Sequence, residues 1–292
     1  MSAIKGVLTA MVTPFTESGT VDETAALRLA VHLLEHGSHG LVISGSTGEA
    51  PTLTDEEALV LLSAIRKEVG EDTLLICGTG TNYTQHSIEL TKGAADAGAD
   101  AALIVTPYYN KPNPAGIKAH FEAIAAAVPE MPIIAYNIPS RVVVNVPPEL
   151  LAELAEIDNV VAVKQANNDE LQPVEGMDLL AGNDDVFLRT LELGGAGGIL
   201  VASHLVGPQM REIWDAAQAG DLDRAREIDA SLRTLYAAMG VTTNPIPVKA
   251  ALAMTGLIPT DAMRLPLVPA DAEQRTTVRA ALESVGLAPV KP

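Results

Sequence analysis

Eight short apolar runs recur along the chain, with amphipathic segments between them. They are Val7–Val12, Gly40–Ser44, Leu74–Thr79, Ala101–Thr106, Pro132–Asn137, Val160–Gln165, Leu179–Asn183 and Gly198–Ser203. Most are continuously apolar instead of alternating, the pattern of parallel strands covered on both faces. Eight strand–helix units in succession point to an α/β fold of the (β/α)8 barrel type. An open doubly wound sheet is the alternative, but no G-x-G-x-x-G loop follows the first run. The alternation ends near Gly220. From Asp221 the chain reads as about three helices with no strand. The expected organisation is a barrel over 1–220 and a C-terminal helical extension over 221–292. A chain of 292 residues suits this division, because such barrels run to about 250 residues as one unit.

The helices carry their own punctuation. Thr20-Val21-Asp22-Glu23 reads as a capping box opening a helix with Leu27, Ala30, Val31 and Leu34 on its inner face, ended by Gly37. Thr54-Asp55-Glu56-Glu57 opens a second, with Ala58, Leu61, Leu62, Ile65 and Val69 on one stripe. Further helices are predicted over Thr84–Ala97, from Asn113-Pro114, from near Pro148, over Asp184–Leu193 and from near Pro208. The sixth crossover, Asp169–Glu175, is short and holds Pro173.

Charge narrows the function. Nineteen Lys and Arg against 37 Asp and Glu give a net charge of −18, which repels phosphate backbones and argues against nucleic acid. It also repels small anions, so any anion site must be locally basic. One cysteine, Cys77, makes neither an internal disulfide nor a thiolate cluster. No apolar run reaches the ~18 residues that span a bilayer, and the N-terminus lacks a signal-like core. A cytoplasmic protein with no membrane partner is expected.

Barrel enzymes work at the C-terminal ends of their strands. Those ends carry Gly45-Ser46-Thr47-Gly48-Glu49, Thr106-Pro107-Tyr108-Tyr109-Asn110, Tyr136-Asn137 with Ser140-Arg141, Lys164-Gln165 and Gly182-Asn183-Asp184. Lys164 is the sharpest feature. By alternation it shares a face with Ala162, opposite Val161 and Val163. A lysine at the inner end of a barrel strand is desolvated and nucleophilic, suited to a Schiff base with a carbonyl substrate. The plain alternative is a lysine that snorkels or pairs with Asp184. The Gly45–Glu49 loop reads either as a nest for a carboxylate or phosphate or as an ordinary βα turn. Tyr109 and Tyr136 either shuttle protons or simply pack their rings. Arg141 either clamps a carboxylate or lies in solvent. His32-Leu33-Leu34-Glu35-His36 matches the H-x-x-E-H pattern of zinc proteases, but it falls on an outer helix away from the strand ends. The Gly194–Gly198 run has no following lysine or helix and reads as a tight turn.

Taken together, Gly45–Glu49, Thr106–Tyr109, Tyr136–Arg141, Val163-Lys164 and Asn244-Pro245-Ile246-Pro247-Val248-Lys249 resemble the dihydrodipicolinate synthase family. That family lies within the pyruvate-dependent class I aldolases, alongside N-acetylneuraminate lyase. The resemblance runs in order over nearly the whole chain. It implies a (β/α)8 barrel with a helical extension, assembled as a homotetramer of tight dimers. It implies no cofactor and no metal. The implied reaction condenses pyruvate with L-aspartate 4-semialdehyde, the first committed step toward diaminopimelate and lysine. Lys164 would form the Schiff base with pyruvate, and Tyr136 would be the general acid/base. Ser46 and Tyr109 would complete its proton relay, with Tyr109 supplied across the tight dimer. Thr47 would hold the pyruvate carboxylate and Arg141 the semialdehyde carboxylate. Gly182 and Ile199 would line the site through their backbones. Three departures stand out: the family usually has threonine at Ser46, Thr-Gly is common where Val142-Val143 follow Arg141, and the lysine feedback site is altered. There the family uses an acidic residue at the position of His86 and histidines at those of Asp55 and Ala58, whereas Asn82 and Tyr108 are kept. Weak or absent inhibition by lysine is therefore expected. A sister aldolase acting on a sugar acid, a metal-dependent hydrolase and a non-catalytic barrel are the competing readings. Arg141 opposes the first, the lack of a convergent His/Asp set the second, and the intact lysine and tyrosines the third.

Overall fold

The computed structural model describes residues 4–287. Eight parallel strands close on themselves in sequence order: β1 (Gly6–Ala10), β2 (Gly40–Ile43), β3 (Leu74–Gly78), β4 (Ala101–Val105), β5 (Ile133–Asn137), β6 (Val160–Gln165), β7 (Asp178–Ala181) and β8 (Gly197–Leu200), with β8 pairing back onto β1. The barrel expected from the eight runs is what forms. Side chains alternate across each strand. Leu8, Ile76, Leu103, Ile134, Ala162, Leu180 and Ile199 fill the barrel interior. Val7, Leu75, Ile104, Ile133, Val163 and Ala181 pack outward under the helices. Both faces are covered, which is why the strands read as unbroken apolar runs.

The helical layer begins with α1 (Glu23–Glu35), α2 (Asp55–Val69), α3 (Thr84–Asp96) and α4 (Pro114–Ala127). Thr54 and Glu57 form the expected reciprocal capping box at α2. The box expected at Thr20 does not form; Asp22 caps α1 instead, accepting from the Ala25 N–H. The buried face of α1 is Ala25, Ala26, Leu29, Ala30 and Leu33, leaving Leu27, Val31 and Leu34 half-buried. The small side chains lie inside because the helix packs close to the barrel. A short α5 (Pro139–Val142) carries Arg141 and precedes α6 (Pro148–Leu154). The sixth crossover holds only a single 3₁₀ turn at Asn168–Glu170. The seventh has a 3₁₀ turn leading into α7 (Phe187–Glu192).

The last strand departs most from expectation. β8 stops at Leu200 and α8 (Ser203–Gln218) starts five residues before Pro208. The Asp184 carboxylate accepts hydrogen bonds from the Val201 and Ala202 N–H groups at 2.9–3.1 Å, turning the chain out of the sheet while it is still apolar. Pro208 sits two residues beyond a kink at Val206. Three helices then follow the barrel: α9 (Leu222–Met239), α10 (Ile246–Met254) and α11 (Ala272–Ser284). α9 packs on α8, and α11 on both α9 and α10.

α1 and α8 approach so closely that a Cβ at Gly207 would lie 2.1 Å from the His36 carbonyl oxygen. Gly207→Ala is therefore expected to lower the unfolding free energy by about 1–3 kcal/mol in a urea titration. An unchanged midpoint would contradict this packing.

Candidate active site

β5 and β6 pair with Tyr136 directly beside Lys164. Both follow interior residues by two positions, Ile134 and Ala162, so both point into the barrel. The Lys164 Nζ lies 4.2 Å from the centroid of the Tyr136 ring. Lys164 is only 6 % exposed and Tyr136 5 %. Burial disfavours the ammonium and holds the Lys164 pKa down at about 7; the Asp184 carboxylate opposes this and the Arg141 charge assists it. Burial pushes the Tyr136 phenol up to about 12, against the Arg141 charge and a hydrogen-bonding Ser46 hydroxyl. The result is an amine that is substantially neutral near pH 7 beside a phenol that keeps its proton. Such a pair can attack a carbonyl and move protons at the same carbon.

These two groups sit in a cavity of about 540 Å³ at the mouth of the barrel. Ser46, Thr47, Arg141, Gly182, Asn183, Asp184 and Val201 line it from the strand ends and the segments that follow them. Arg233, Tyr236, Thr242 and Asn244 close it from the helical extension. Asn244 is the joint between the two parts. Its side-chain amide donates to the Thr47 hydroxyl at 2.9 Å, and its carbonyl accepts from Arg141 at 2.8 Å. Asp184 also feels burial first, which raises its pKa to about 6, while the two backbone N–H donors oppose the rise.

Of the residues singled out in the sequence, Lys164, Tyr136, Ser46, Thr47, Arg141 and Gly182 converge on this cavity. Two do not line it. Ile199 is fully buried in the barrel interior. Tyr109 stands 87 % exposed on the loop after β4, with a positive φ of 70°. Sequence reasoning did not single out Asn244, Arg233 or Tyr236 as site residues. Asn244 had a signal, since it opens the Asn244–Lys249 motif; α9 carries no spacing that marks Arg233 or Tyr236 as facing a cavity. The His32–His36 motif gathers no ligand set: its two rings stack 3.9 Å apart. Among the described residues no group of three or more His, Cys, Asp or Glu is arranged to hold a metal ion. No helix there is long and apolar enough to cross a membrane.

The model of the dihydrodipicolinate synthetase family matches residues 3–285. The 4-hydroxy-tetrahydrodipicolinate synthase of Cyanothece sp. is 46 % identical over 289 residues, covering 96 % of this chain and 98 % of the relative. The dihydrodipicolinate synthase of Acinetobacter baumannii, solved in complex with pyruvate, is 38 % identical, with a TM-score of 0.94 over 98 % of this chain and 100 % of that one. The enzyme of Cyanidioschyzon merolae, solved with lysine bound, is 39 % identical, with a TM-score of 0.93 over 97 % of this chain and 98 % of that one.

The neutral amine is the reactive form, so the rate at which an amine-selective reagent labels Lys164 should rise with pH through a midpoint of about 7 and fall away below it. An ordinary lysine would show its midpoint near 10.4. Asp184→Asn removes the charge that favours the ammonium, so it should move the midpoint lower still. A midpoint near 10, or an upward shift in the variant, would contradict the electrostatics.

Proposed function

The chain belongs to the dihydrodipicolinate synthetase family, and from that premise we infer that it is a 4-hydroxy-tetrahydrodipicolinate synthase, a Schiff-base lyase of lysine biosynthesis. The observation that carries the reading is the buried Lys164–Tyr136 pair inside a closed barrel. The substrates are pyruvate and L-aspartate 4-semialdehyde. The amine of Lys164 attacks the pyruvate ketone carbon. Tyr136 delivers a proton to the departing oxygen, which leaves as water, and an imine to Lys164 remains. Removal of a methyl proton gives an enamine, and its carbon bonds to the aldehyde carbon of the second substrate, whose oxygen takes up a proton. The amino group of that substrate then displaces Lys164 and closes the ring of 4-hydroxy-tetrahydrodipicolinate. Lys164 and Tyr136 return to their starting states.

The remaining roles are those that membership of the family implies. Thr47, held by Asn244, and the loop backbone around it receive the pyruvate carboxylate. Arg141 receives the carboxylate of the semialdehyde. Ser46 passes protons to Tyr136, and Tyr109 of a second copy completes that relay across a tight dimer. The exposure of Tyr109 in one chain supports this arrangement. Two such dimers form the homotetramer, a cytoplasmic enzyme.

Steady-state assay with both substrates tests the reading. Lys164→Ala should remain folded and lose turnover by on the order of a thousandfold or more. Tyr136→Phe should lose about a hundred- to ten-thousand-fold. Full activity in Lys164→Ala would refute the assignment, and cleavage of N-acetylneuraminate without semialdehyde-dependent turnover would move it to the sister aldolases.

Feedback by lysine should be weak or absent. The His86 ring Nε2 sits 2.9 and 3.0 Å from the two Asp55 carboxylate oxygens, so both side chains are engaged with each other. No acidic side chain at that position is left to receive a lysine ammonium. Turnover should survive millimolar L-lysine; an inhibition constant far below millimolar would contradict this.

A further inference from the structure

The helical extension grips the segment after β2 through the Arg264 guanidinium, which donates to the Thr52 carbonyl at 2.7 Å, and at two further points. The first is the Asn244–Thr47 hydrogen bond at the cavity wall. The second lies out of sight of the cavity. Lys249, one turn into α10, donates to the Glu49 carboxylate at 2.5 Å and to the Ala262 carbonyl at 2.8 Å. Both side chains of this ion pair are fully buried. The Lys249 ammonium also lies 4.3 Å from the Phe15 ring centroid, and the Arg264 guanidinium 4.6 Å from it. The second Glu49 oxygen accepts from the Arg264 N–H at 3.3 Å, while the Arg264 side chain holds Glu57 with two bonds of 2.6–2.7 Å.

A buried ion pair contributes little net stability against an apolar pair of the same shape, so stability alone is a poor reason for keeping one. What it does supply here is register. Glu49 is two residues from Thr47, and Lys249 is five residues from Asn244. Gripping at both points fixes the loop against the extension. That loop is costly to hold: Ser44 and Glu49 both carry positive φ, 55° and 56°. Its other ties are the Thr13 hydroxyl on the Gly48 carbonyl at 2.7 Å and hydrogen bonds within the loop itself, from the Glu49 N–H to the Ser46 carbonyl and from the Ala50 N–H to the Gly45 carbonyl, both at 3.2 Å.

We propose that Glu49 and Lys249 are positioning residues: their buried ion pair locks Thr47 and Asn244 into the geometry that receives the pyruvate carboxylate. This rests on the Schiff-base reading above, since it concerns the same cavity. Neither residue touches substrate. The helical extension thereby becomes part of the substrate wall, because an apolar contact of equal volume would leave the loop free to slide.

The test is the double variant Glu49→Gln/Lys249→Met, which removes both charges and preserves volume, so no lone charge is left buried. It should keep a melting temperature near that of the parent. Its KM for pyruvate should rise about tenfold or more, with kcat at saturating pyruvate within about threefold of the parent. Amide hydrogen exchange should quicken at residues 45–49 and 244–249 while the barrel strands keep their protection. A purely structural role would lower the active fraction, and hence kcat, with KM unchanged. A folded double variant with the parent's KM and the parent's exchange in both segments would overturn the proposal. The single variant Lys249→Met should be less stable than the double; equal or greater stability would also count against a coupled pair. Borohydride trapping of pyruvate on the parent separates the two readings. No adduct overturns the Schiff-base reading and this one with it. An adduct on the parent, with unchanged KM and exchange in the double variant, overturns this one alone.

Discussion

The site depends on barrel closure. When eight parallel strands pair in order and the last returns to the first, the alternation of each strand has one inner face, and that face is fixed. Tyr136 and Lys164 are in register on neighbouring strands and both fall on it. A slip of one residue in β6 would turn Lys164 outward among the helices and bring Val163 in. Everything chemical follows from the inward placement: the low dielectric lowers the lysine, raises the tyrosine and stacks the one over the other.

The strongly acidic chain then poses an electrostatic question. A net charge of −18 should repel two carboxylate substrates. At physiological salt, distant charges are screened over about 8 Å, so the cavity feels mainly its own lining. There Lys164, Arg141 and Arg233 face Asp184 and Asp185. Asp184 has its carboxylate engaged by two backbone N–H groups, which reduces what it can present to an entering anion. Arg141 is held by the Asn244 carbonyl, an interaction that orients the guanidinium without neutralising it.

Much of this was legible in the sequence because the governing signals are local. Short apolar runs, most of them continuous, marked all eight strands, and Thr54–Glu57 announced its own helix start. The failures share a cause: a distant group overrode the local pattern. Val201 and Ala202 are apolar and follow a strand, yet Asp184, on another strand's loop, turns them out of the sheet just ahead of α8. In α1 Ala30 is buried as expected, but Leu27, Val31 and Leu34 are only half-buried, and Ala25, Ala26, Leu29 and Leu33 complete the buried face. Asn244 and Thr47 are 197 positions apart, and no periodicity links residues at such a distance. Glu49 likewise carries no local signal that pairs it with Lys249, 200 positions away.

The central claim is that Lys164 is the nucleophile. It is tested most directly by reducing the protein with borohydride in the presence of pyruvate and mapping the modified peptide by mass spectrometry. One pyruvate-derived adduct should appear, on Lys164, and only when pyruvate and reductant are both present. No adduct, or an adduct confined to a different lysine, would contradict the account.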